Sequence, residues 1–263
     1  MGQNLGSTEH SLTGLTSHDW QVRYSQQAVW TKPLRDYLFQ PPGARGNTRI
    51  LDVGCGPATL TAELRTRFGS GVYGLDIDIG MLRLAKTADP VASFLEGDAN
   101  SLPFQRGCFD LTCCHFLLLW VRHPVECLKE MRRVTRSGGT VLALAEPDYG
   151  GRIDYPPALE EIGQLQAASL ASQGADPLAG RKLAGWFSQA GLEQVQVGVL
   201  GGQWWMEKNA SGESEWAMIE HDLEGLISPE KLRELQGEDR TSRASGERIL
   251  FVPTFYASGT VPA

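Results

Sequence analysis

The stretch "ILDVGCGPATL", residues 50–60, constrains the fold more than any other part of the sequence. A short apolar run of strand character enters a glycine turn there, and a helical pattern leaves it. Four further strand-like runs follow, "GVYGLDID", "ASFLEGDA", "FDLTCCHF" and "TVLALAEPD", with helical patterns among them. Strands separated by helical segments form parallel βαβ units. The sequence therefore predicts an α/β fold with a doubly wound, mostly parallel sheet.

The rest of the chain is predicted to complete a single domain of seven strands. A helical cap, residues 1–48, precedes the core at 49–150, and its helix over residues 18–39 is expected to break or change direction at Pro33. Residues 151–263 are expected to add further helices and the last two strands, "LEQVQVGVLGG" and "RILFVPTFYASG". Between those strands lies a helical insertion, residues 203–247, which is too short to form a core of its own.

Composition excludes several classes of function. The net charge is −7, whereas proteins that bind DNA or RNA need surplus Lys and Arg to displace counterions from phosphates. The five cysteines are odd in number and form no CxxC pair, so we expect no disulfide framework, no metal site and a reducing, cytoplasmic location. No apolar run reaches the roughly 18 residues of a membrane span, so no membrane association is expected.

The glycine turn has the features of a nucleotide-type site without those of a phosphate site. Gly54 and Gly56 fill the first two positions of the dinucleotide pattern G-x-G-x-x-G, but Thr59 replaces the third glycine. Asp76 ends the second strand, where a carboxylate can accept hydrogen bonds from both ribose hydroxyls. Asp98 follows the third strand, where a carboxylate can accept a bond from an adenine amino group. Acidic strand ends without a basic residue favour a cofactor that carries no phosphate.

These motifs resemble those of the class I S-adenosylmethionine-dependent methyltransferases. "ILDVGCGPATLTAEL" is similar to the first motif of that family, "GLDID" to its ribose-binding acidic motif and "LEGDANSLPF" to its adenine-side motif. "FDLTCCHFLLLWVRHP" and "RSGGTVLALAEPD" are similar to the two blocks that follow. The resemblance covers residues 50–148 closely and the last pair of strands more loosely. It implies a Rossmann-like methyltransferase fold whose core, residues 49–150, binds S-adenosylmethionine.

For the methionine and ribose parts of the cofactor, the resemblance implies four residues. Gly54 and Gly56 would let the methionine part lie against the loop. Asp52 would orient the loop or meet the cofactor's amino group through water. Asp76 would bind the ribose.

For the adenine end and the cover of the site, the resemblance implies a second set. Asp98 would accept a bond from the adenine amino group, Ala99 would donate its backbone N–H to the ring, and Ile77 would lie beside them. Tyr24 and Gln27, on the N-terminal helix, would close over the methionine end. Packing alone is the alternative explanation for Tyr24.

Candidates for the acceptor side must face the crevice at the carboxyl ends of the strands. His115, just after the fourth strand, is the candidate general base or acceptor-orienting group, and a hydrogen-bonded wall residue is the alternative. Glu146 and Asp148, after the fifth strand, are candidates for binding a polar acceptor or accepting a proton. Capping of the "PDYGG" turn is an equally good explanation for these two carboxylates.

The insertion supplies the remaining acceptor-side candidates. By the family resemblance it should roof the acceptor pocket with Trp204, Trp205, Trp216 and His221, and such aromatic walls suit a flat apolar acceptor. Anchoring of the insertion to the domain is the alternative role for the tryptophans.

The function expected from the resemblance is methyl transfer from S-adenosylmethionine to an O, N or C nucleophile of a small molecule. The expected partner is that acceptor, with neither nucleic acid nor membrane, and a homodimer is left open. Two other functions stay open: a non-catalytic protein that binds S-adenosylmethionine, and a nicotinamide-dependent oxidoreductase, which Thr59 in the glycine turn disfavours.

Overall fold

The computed structural model describes residues 24–25, 28–39, 48–69, 71–199 and 213–263. Within these residues, seven strands form the main sheet and two short strands form a separate ribbon. The strands of the main sheet are β1 Ile50–Val53, β2 Val72–Asp76, β3 Ser93–Glu96, β4 Phe109–Cys114, β5 Thr135–Pro147, β7 Glu193–Val199 and β9 Thr254–Thr260. The ribbon consists of β6 Ile153–Tyr155 and β8 Ile249–Phe251.

The order of strands in the main sheet is β3-β2-β1-β4-β5-β9-β7. The first five strands are parallel, and β9 lies antiparallel between β5 and β7. From β1 the chain adds β2 and β3 on one side of the sheet and then β4 and β5 on the other, so the strand order reverses between β1 and β4. In such sheets ligands bind at that point, in the crevice at the carboxyl ends of the strands. The predicted doubly wound, mostly parallel seven-stranded sheet is confirmed.

Helices cover both faces of the sheet. The helices of the described residues that exceed one turn are α1 Lys32–Leu38, α2 Thr59–Phe68, α3 Ile79–Ala88, α4 Pro124–Val134, α5 Glu160–Ser172, α6 Ala179–Gln189, α7 Glu213–Asp222 and α8 Pro229–Ser245. One core cluster joins α4 and α6 to the sheet through side chains such as Leu128 and Phe187, both fully buried. A second cluster on the opposite face joins α2 to β1, through Leu64 and Ile50. This two-sided burial explains why the central strands β1 and β4 are largely apolar.

The N-terminal and C-terminal elements differ in detail from the sequence prediction. The N-terminal helix is interrupted by a turn at Thr31, and α1 then begins with Pro33 in its first turn, where a missing N–H does no harm. The predicted seventh strand was wrong as a single element. It forms two strands, β8 in the ribbon and β9 in the main sheet, because Pro253 cannot donate a ladder hydrogen bond.

The described part of the insertion, residues 213–247, is helical and packs against α5. Trp216, Ile219 and Leu235 form an apolar cluster with Ile162 of α5. The indole Nε1 of Trp216 donates to Asp239 Oδ2 at 2.8 Å. These contacts anchor the insertion to the domain, which is the alternative role given above for this tryptophan.

A buried ionic network joins the insertion to the ribbon. Asp239 accepts from Arg248 Nε at 2.7 Å and from Arg243 Nε at 2.7 Å. Arg248 Nη2 also donates to Asp154 of β6 at 2.9 Å, and Arg152 Nε donates to the same carboxylate at 2.6 Å. Because these carboxylates are each shared by two guanidinium groups, their charges are compensated although they are removed from water. The network fixes the helical insertion relative to the ribbon.

None of the helices in the described ranges combines the length and the apolar character that crossing a bilayer requires.

Candidate cofactor and acceptor site

The glycine turn after β1 is shaped by backbone bonds to the neighbouring strand. The amides of Gly54 and Cys55 both donate to the carbonyl of Leu75, at 2.7 and 3.0 Å. Gly54 has a φ of +72°, and a Cβ at this position would lie 2.7 Å from a methyl group of Leu117. Gly56 has a φ of +51°. Both positions therefore require glycine, because their φ angles disfavour any residue with a Cβ and Leu117 occupies the space beside Gly54.

Asp76, at the end of β2, closes the turn from the other side. Its Oδ2 accepts from the amide of Gly56 at 2.8 Å, and its Oδ1 accepts from the amide of Asp78 at 2.9 Å. Burial raises the pKa of the Asp76 carboxyl, while these amides favour its ionised form. A carboxylate has about four lone-pair sites, so each oxygen keeps capacity for a hydroxyl donor such as a ribose.

Asp52 supplies a buried acceptor beneath the turn. Its Oδ2 accepts from Thr61 Oγ1 at 2.6 Å, which ties β1 to α2. Its Oδ1 is buried and has no hydrogen-bond partner among the described residues. Burial raises the pKa of Asp52 to about 7, with a further contribution from the charge of Asp76. An unsatisfied buried carboxylate oxygen is costly, so this atom fits a cationic amino group, directly or through water.

The residues expected at the adenine end lie just after the adjacent strands β2 and β3. The side chain of Ile77 is 70% exposed, which leaves an apolar surface next to the turn. Asp98 is exposed, and its Oδ1 accepts from the amide and side chain of Asn100 at 2.8 and 3.1 Å. The amide of Gly97 donates to the carbonyl of Asp76, and this bond brings the two strand ends together. Ala99 is buried behind them.

Tyr24 lies against the glycine turn, since a Cβ built on Gly56 would be 3.4 Å from Tyr24 Cε1. This is the side on which the N-terminal helix was expected to cover the cofactor. Gln27 lies outside the described residues.

His115, directly after β4, is held by the N-terminal segment, a name used for the described residues 24–25 and 28–39. Its Nε2 lies 2.8 Å from Thr31 Oγ1, and Arg35 Nη1 donates to that same hydroxyl oxygen at 2.5 Å. Burial, with the charge of Arg35, lowers the pKa of His115 to about 3. The imidazole is therefore neutral at physiological pH, and its Nε2 forms a hydrogen bond with the Thr31 hydroxyl.

Glu146 is buried in β5 and is occupied by the turn after β4. Its Oε1 accepts from the amides of Leu117 and Leu118 at 3.0 and 2.9 Å, and its Oε2 accepts from the amide of Leu119 at 3.1 Å. Burial raises the pKa of Glu146 to about 7, while the three amides favour the carboxylate. These bonds make Glu146 a support for the turn; contact with an acceptor stays a prediction.

The other acceptor-side candidates differ in how much the structure says of them. Asp148 caps the turn after β5 through the amide of Gly150 and forms an ion pair with Arg181. His221 lies half-buried in the last turn of α7. Trp204 lies outside the described residues. Their contacts with an acceptor stay predictions.

Sequence reasoning did not find three polar residues next to the site: Thr31, Arg35 and Glu63. Arg35 is buried, and its guanidinium pairs with Glu63 of α2 at 2.7 Å. Thr31 meets His115 across a sequence separation of 84 residues. No spacing pattern within a single element signals a contact of this kind; only Pro33, in the first turn of α1, marks the region in the sequence.

Comparison with known proteins agrees with this architecture. The family model described as a methyltransferase domain matches residues 51–143. A demethylmenaquinone methyltransferase of Bacillus cereus is 32% identical over 196 residues, which cover 67% of this chain and 81% of that protein. One of Renibacterium salmoninarum is 36% identical over 122 residues, which cover 46% of this chain and 51% of the relative. The chain thus spans about half of the length of the Renibacterium protein.

Solved structures show the same fold at low sequence identity. The Haemonchus contortus phosphoethanolamine N-methyltransferase 2 in complex with S-adenosyl-L-methionine has a TM-score of 0.61 at 16% identity, covering 97% of this chain and 59% of that one. The geranyl diphosphate C-methyltransferase of Streptomyces coelicolor has a TM-score of 0.56 at 14% identity, covering 98% of this chain and 86% of that one. The chain belongs to the class I S-adenosylmethionine-dependent methyltransferase family.

Proposed function

We propose that this protein transfers the methyl group of S-adenosylmethionine to a nucleophilic atom of a small molecule. The observation that carries the proposal is the constellation around the glycine turn. Gly54 and Gly56 hold the turn in a positive-φ conformation, Asp76 closes the turn with spare acceptor capacity, and Asp52 keeps a buried oxygen without a partner among the described residues. This donor and acceptor set fits a ligand with an ammonium group and two hydroxyls.

Each cofactor-side residue then has a role that its position supports. Asp52 receives the amino group, and Asp76 accepts from the ribose hydroxyls. Asp98 has an Oδ2 that no bond among the described residues engages, so it accepts from the adenine amino group. Ile77 covers one face of the ring, and Ala99 donates its backbone N–H to the ring's edge.

The chemistry of the step needs little from the protein beyond position. The bound cofactor supplies a methyl group on a sulfonium, which is an excellent leaving group. In-line displacement is accelerated by holding the acceptor at the right angle and distance in a site that excludes water. Tyr24 against Gly56, with the N-terminal segment behind it, contributes to that exclusion.

We propose that the attacking atom of the acceptor is nucleophilic without losing a proton to a general base of the protein. His115 is a weak base because its pKa is about 3, and Glu146 is surrounded by three backbone amides. His115 therefore does not suit general-base catalysis, which works best with a pKa near the operating pH. Glu146 has a pKa of about 7, but both of its oxygens are engaged by backbone amides. Relatives act on acceptors as different as demethylmenaquinone and trans-aconitate, by their names. Asp148, Trp204 and His221 remain the candidate acceptor contacts.

The proposed setting is the cytoplasm. The cysteines of the chain are free thiols, four of them buried, and such thiols suit a reducing compartment. A small-molecule acceptor is the proposed partner, and a homodimer remains open. No specific observation favours an oxidoreductase, because Thr59 stands where the dinucleotide pattern has the glycine that allows close helix–strand packing.

Calorimetric titration with S-adenosylhomocysteine, with NADH in a parallel cell, tests the proposal. We expect binding of the first ligand alone, with a dissociation constant of about micromolar order. Transfer of a labelled methyl group from S-adenosylmethionine to a panel of small phenols, quinols, carboxylates and amines then separates an enzyme from a protein that only binds the cofactor. Binding of NADH alone, or of neither ligand, would contradict the proposed function.

A further inference from the structure

Four side chains from different parts of the chain form one hydrogen-bonded row, which we name the latch: Glu63, Arg35, Thr31 and His115. Arg35 Nε donates to Glu63 Oε2 at 2.9 Å, and its Nη1 donates to Thr31 Oγ1 at 2.5 Å. Thr31 Oγ1 in turn meets His115 Nε2 at 2.8 Å. Thr31 and Arg35 are 5% and 2% exposed, so water competes little for these bonds.

Hydrogen-bond donors and acceptors in the latch agree along its whole length. A guanidinium can only donate, so the hydroxyl oxygen of Thr31 accepts from Arg35. A hydroxyl oxygen can accept two hydrogen bonds and donate one, so either tautomer of a neutral His115 completes the contact with Thr31 at 2.8 Å. Each bond thus supports the next, and removal of the Thr31 hydroxyl would leave both Arg35 and His115 without that partner in a buried place.

The latch joins elements on both sides of the cofactor turn to the N-terminal segment. Glu63 belongs to α2, which begins at Thr59 directly after the glycine turn. His115 follows β4, whose end lies beside the end of β1. Tyr24, which precedes Thr31 by a few residues in the chain, lies against Gly56. The latch therefore holds residues close in the chain to the one that covers the turn.

We propose that Thr31 and Arg35 are positioning residues that hold the N-terminal segment closed over bound cofactor and so set the rate of cofactor release. His115 acts in this device as the anchor of the segment and not as a base. The inference rests on the proposed function, because it concerns the same cofactor site. It adds one step to the proposed function: the N-terminal segment must open before the cofactor is released. The contacts between cofactor and protein do not by themselves require that step.

The experiment compares release of S-adenosylhomocysteine from wild type and from Thr31→Val, by stopped-flow displacement with excess S-adenosylmethionine. Valine keeps the shape of the side chain and removes the hydroxyl. We expect release about tenfold to a hundredfold faster, the range for loss of a buried hydrogen bond that leaves partners unsatisfied. Thr31→Ser should restore release to within about threefold of wild type, because the hydroxyl returns.

Thr66→Val is the matched control. Its hydroxyl donates within α2 to the carbonyl of Ala62 at 3.0 Å on an exposed face, so its loss should leave release unchanged. If Thr31→Val fails to fold, Glu63→Gln tests the other end of the latch, with exchange of the backbone amides of residues 28–39 as a second measurement. Faster exchange there, with faster release, supports the proposal.

Three outcomes decide the question. Faster release in Thr31→Val, reversed by serine and absent in Thr66→Val, supports the latch. Release of Thr31→Val at the wild-type rate, or equal acceleration in Thr66→Val, overturns it while the proposed function stands. Absence of S-adenosylhomocysteine binding to wild type refutes the proposed function and the latch together.

Discussion

Replacement of Asp76 by asparagine should separate ribose binding from the shape of the glycine turn. Each oxygen of Asp76 already accepts one backbone amide, from Gly56 or from Asp78. Asparagine keeps one carbonyl oxygen but replaces the other acceptor by a donor and removes the charge. A hydrogen bond to a charged group contributes about 1.5–3 kcal/mol, so loss of one bond and weakening of another should cost about 2–4 kcal/mol of binding free energy.

This corresponds to binding of S-adenosylhomocysteine that is about 30- to 1,000-fold weaker, which isothermal titration calorimetry can measure. The variant should also lose about 1–3 kcal/mol of unfolding free energy, because a backbone amide loses its acceptor. Chemical denaturation of the free protein measures that part separately.

Asp78→Asn is the control for charge. Asp78 begins α3 by accepting from the amides of Gly80 and Met81 at 2.6 and 3.3 Å, and asparagine caps helices about as well as aspartate. The charge change is the same, two residues further along. We expect a change in affinity of less than about threefold, as for loss of a distant, partly screened charge. If Asp76→Asn bound no more weakly than Asp78→Asn, the assignment of Asp76 to the ribose would be wrong.

Three further predictions concern buried groups. Burial places the pKa of Glu146 at about 7, above its ordinary value of 4.5. The stability that its protonated form contributes is therefore complete below pH 4.5 and is lost as pH rises through 7, a decline of about 3 kcal/mol at most. Urea unfolding of Glu146→Gln at several pH values should lack this decline. An equal decline in the glutamine variant would contradict the assignment. Asp239→Asn should lower the unfolding free energy by about 3–5 kcal/mol, because the buried guanidinium of Arg248 and the half-buried one of Arg243 lose the carboxylate that they share, and the fluorescence of Trp216 reports the transition. A loss below about 1 kcal/mol would mean that water reaches the network. The ring protons of His115 should show no titration by NMR between about pH 5 and 8, since burial and the charge of Arg35 lower the pKa to about 3, and a midpoint near the ordinary value would refute that environment.

The core of the fold was predictable because its strands are short apolar runs between clear turn signals. β1, β2 and β4 coincide with predicted strands, and each is buried against helices on both faces. The last predicted strand was wrong because the apolar run "ILFVPTFYASG" contains no polar break. Only Pro253 marks the division into β8 and β9, and a proline at a strand edge is compatible with one strand or with two.

The site was predictable where its residues follow strand ends, and not where they meet across the fold. Asp76 and Asp98 lie at neighbouring strand ends, as their places in the βαβ pattern require. Glu146, in contrast, occupies the same kind of position but is surrounded by amides of the turn after β4. Whether an acidic residue at a strand end can bind a ligand depends on where the neighbouring loops run, here the turn after β4. The sequence pattern of a single strand does not predict that course.

The unpaired oxygen of Asp52 and the latch belong to the same class of unpredictable features. Burial without a partner is a property of the assembled core, because it depends on what every neighbouring element fails to offer. The contact between Thr31 and His115 depends on how the N-terminal segment returns to the sheet. Such contacts are decided by tertiary packing, and composition and periodicity carry no record of them.

The place of β9 between β5 and β7 has a consequence for assembly during synthesis. β7 leaves the ribosome before β9, and in the described sheet it pairs with β9 and not with β5. The five parallel strands can therefore associate early, while β7 must wait until the helical insertion and β8 have also emerged. An open edge of β5 persists during this interval, and exposed sheet edges invite pairing with other chains. Slow translation through residues 200–253 should thus raise aggregation of the nascent protein more than an equal delay before residue 135.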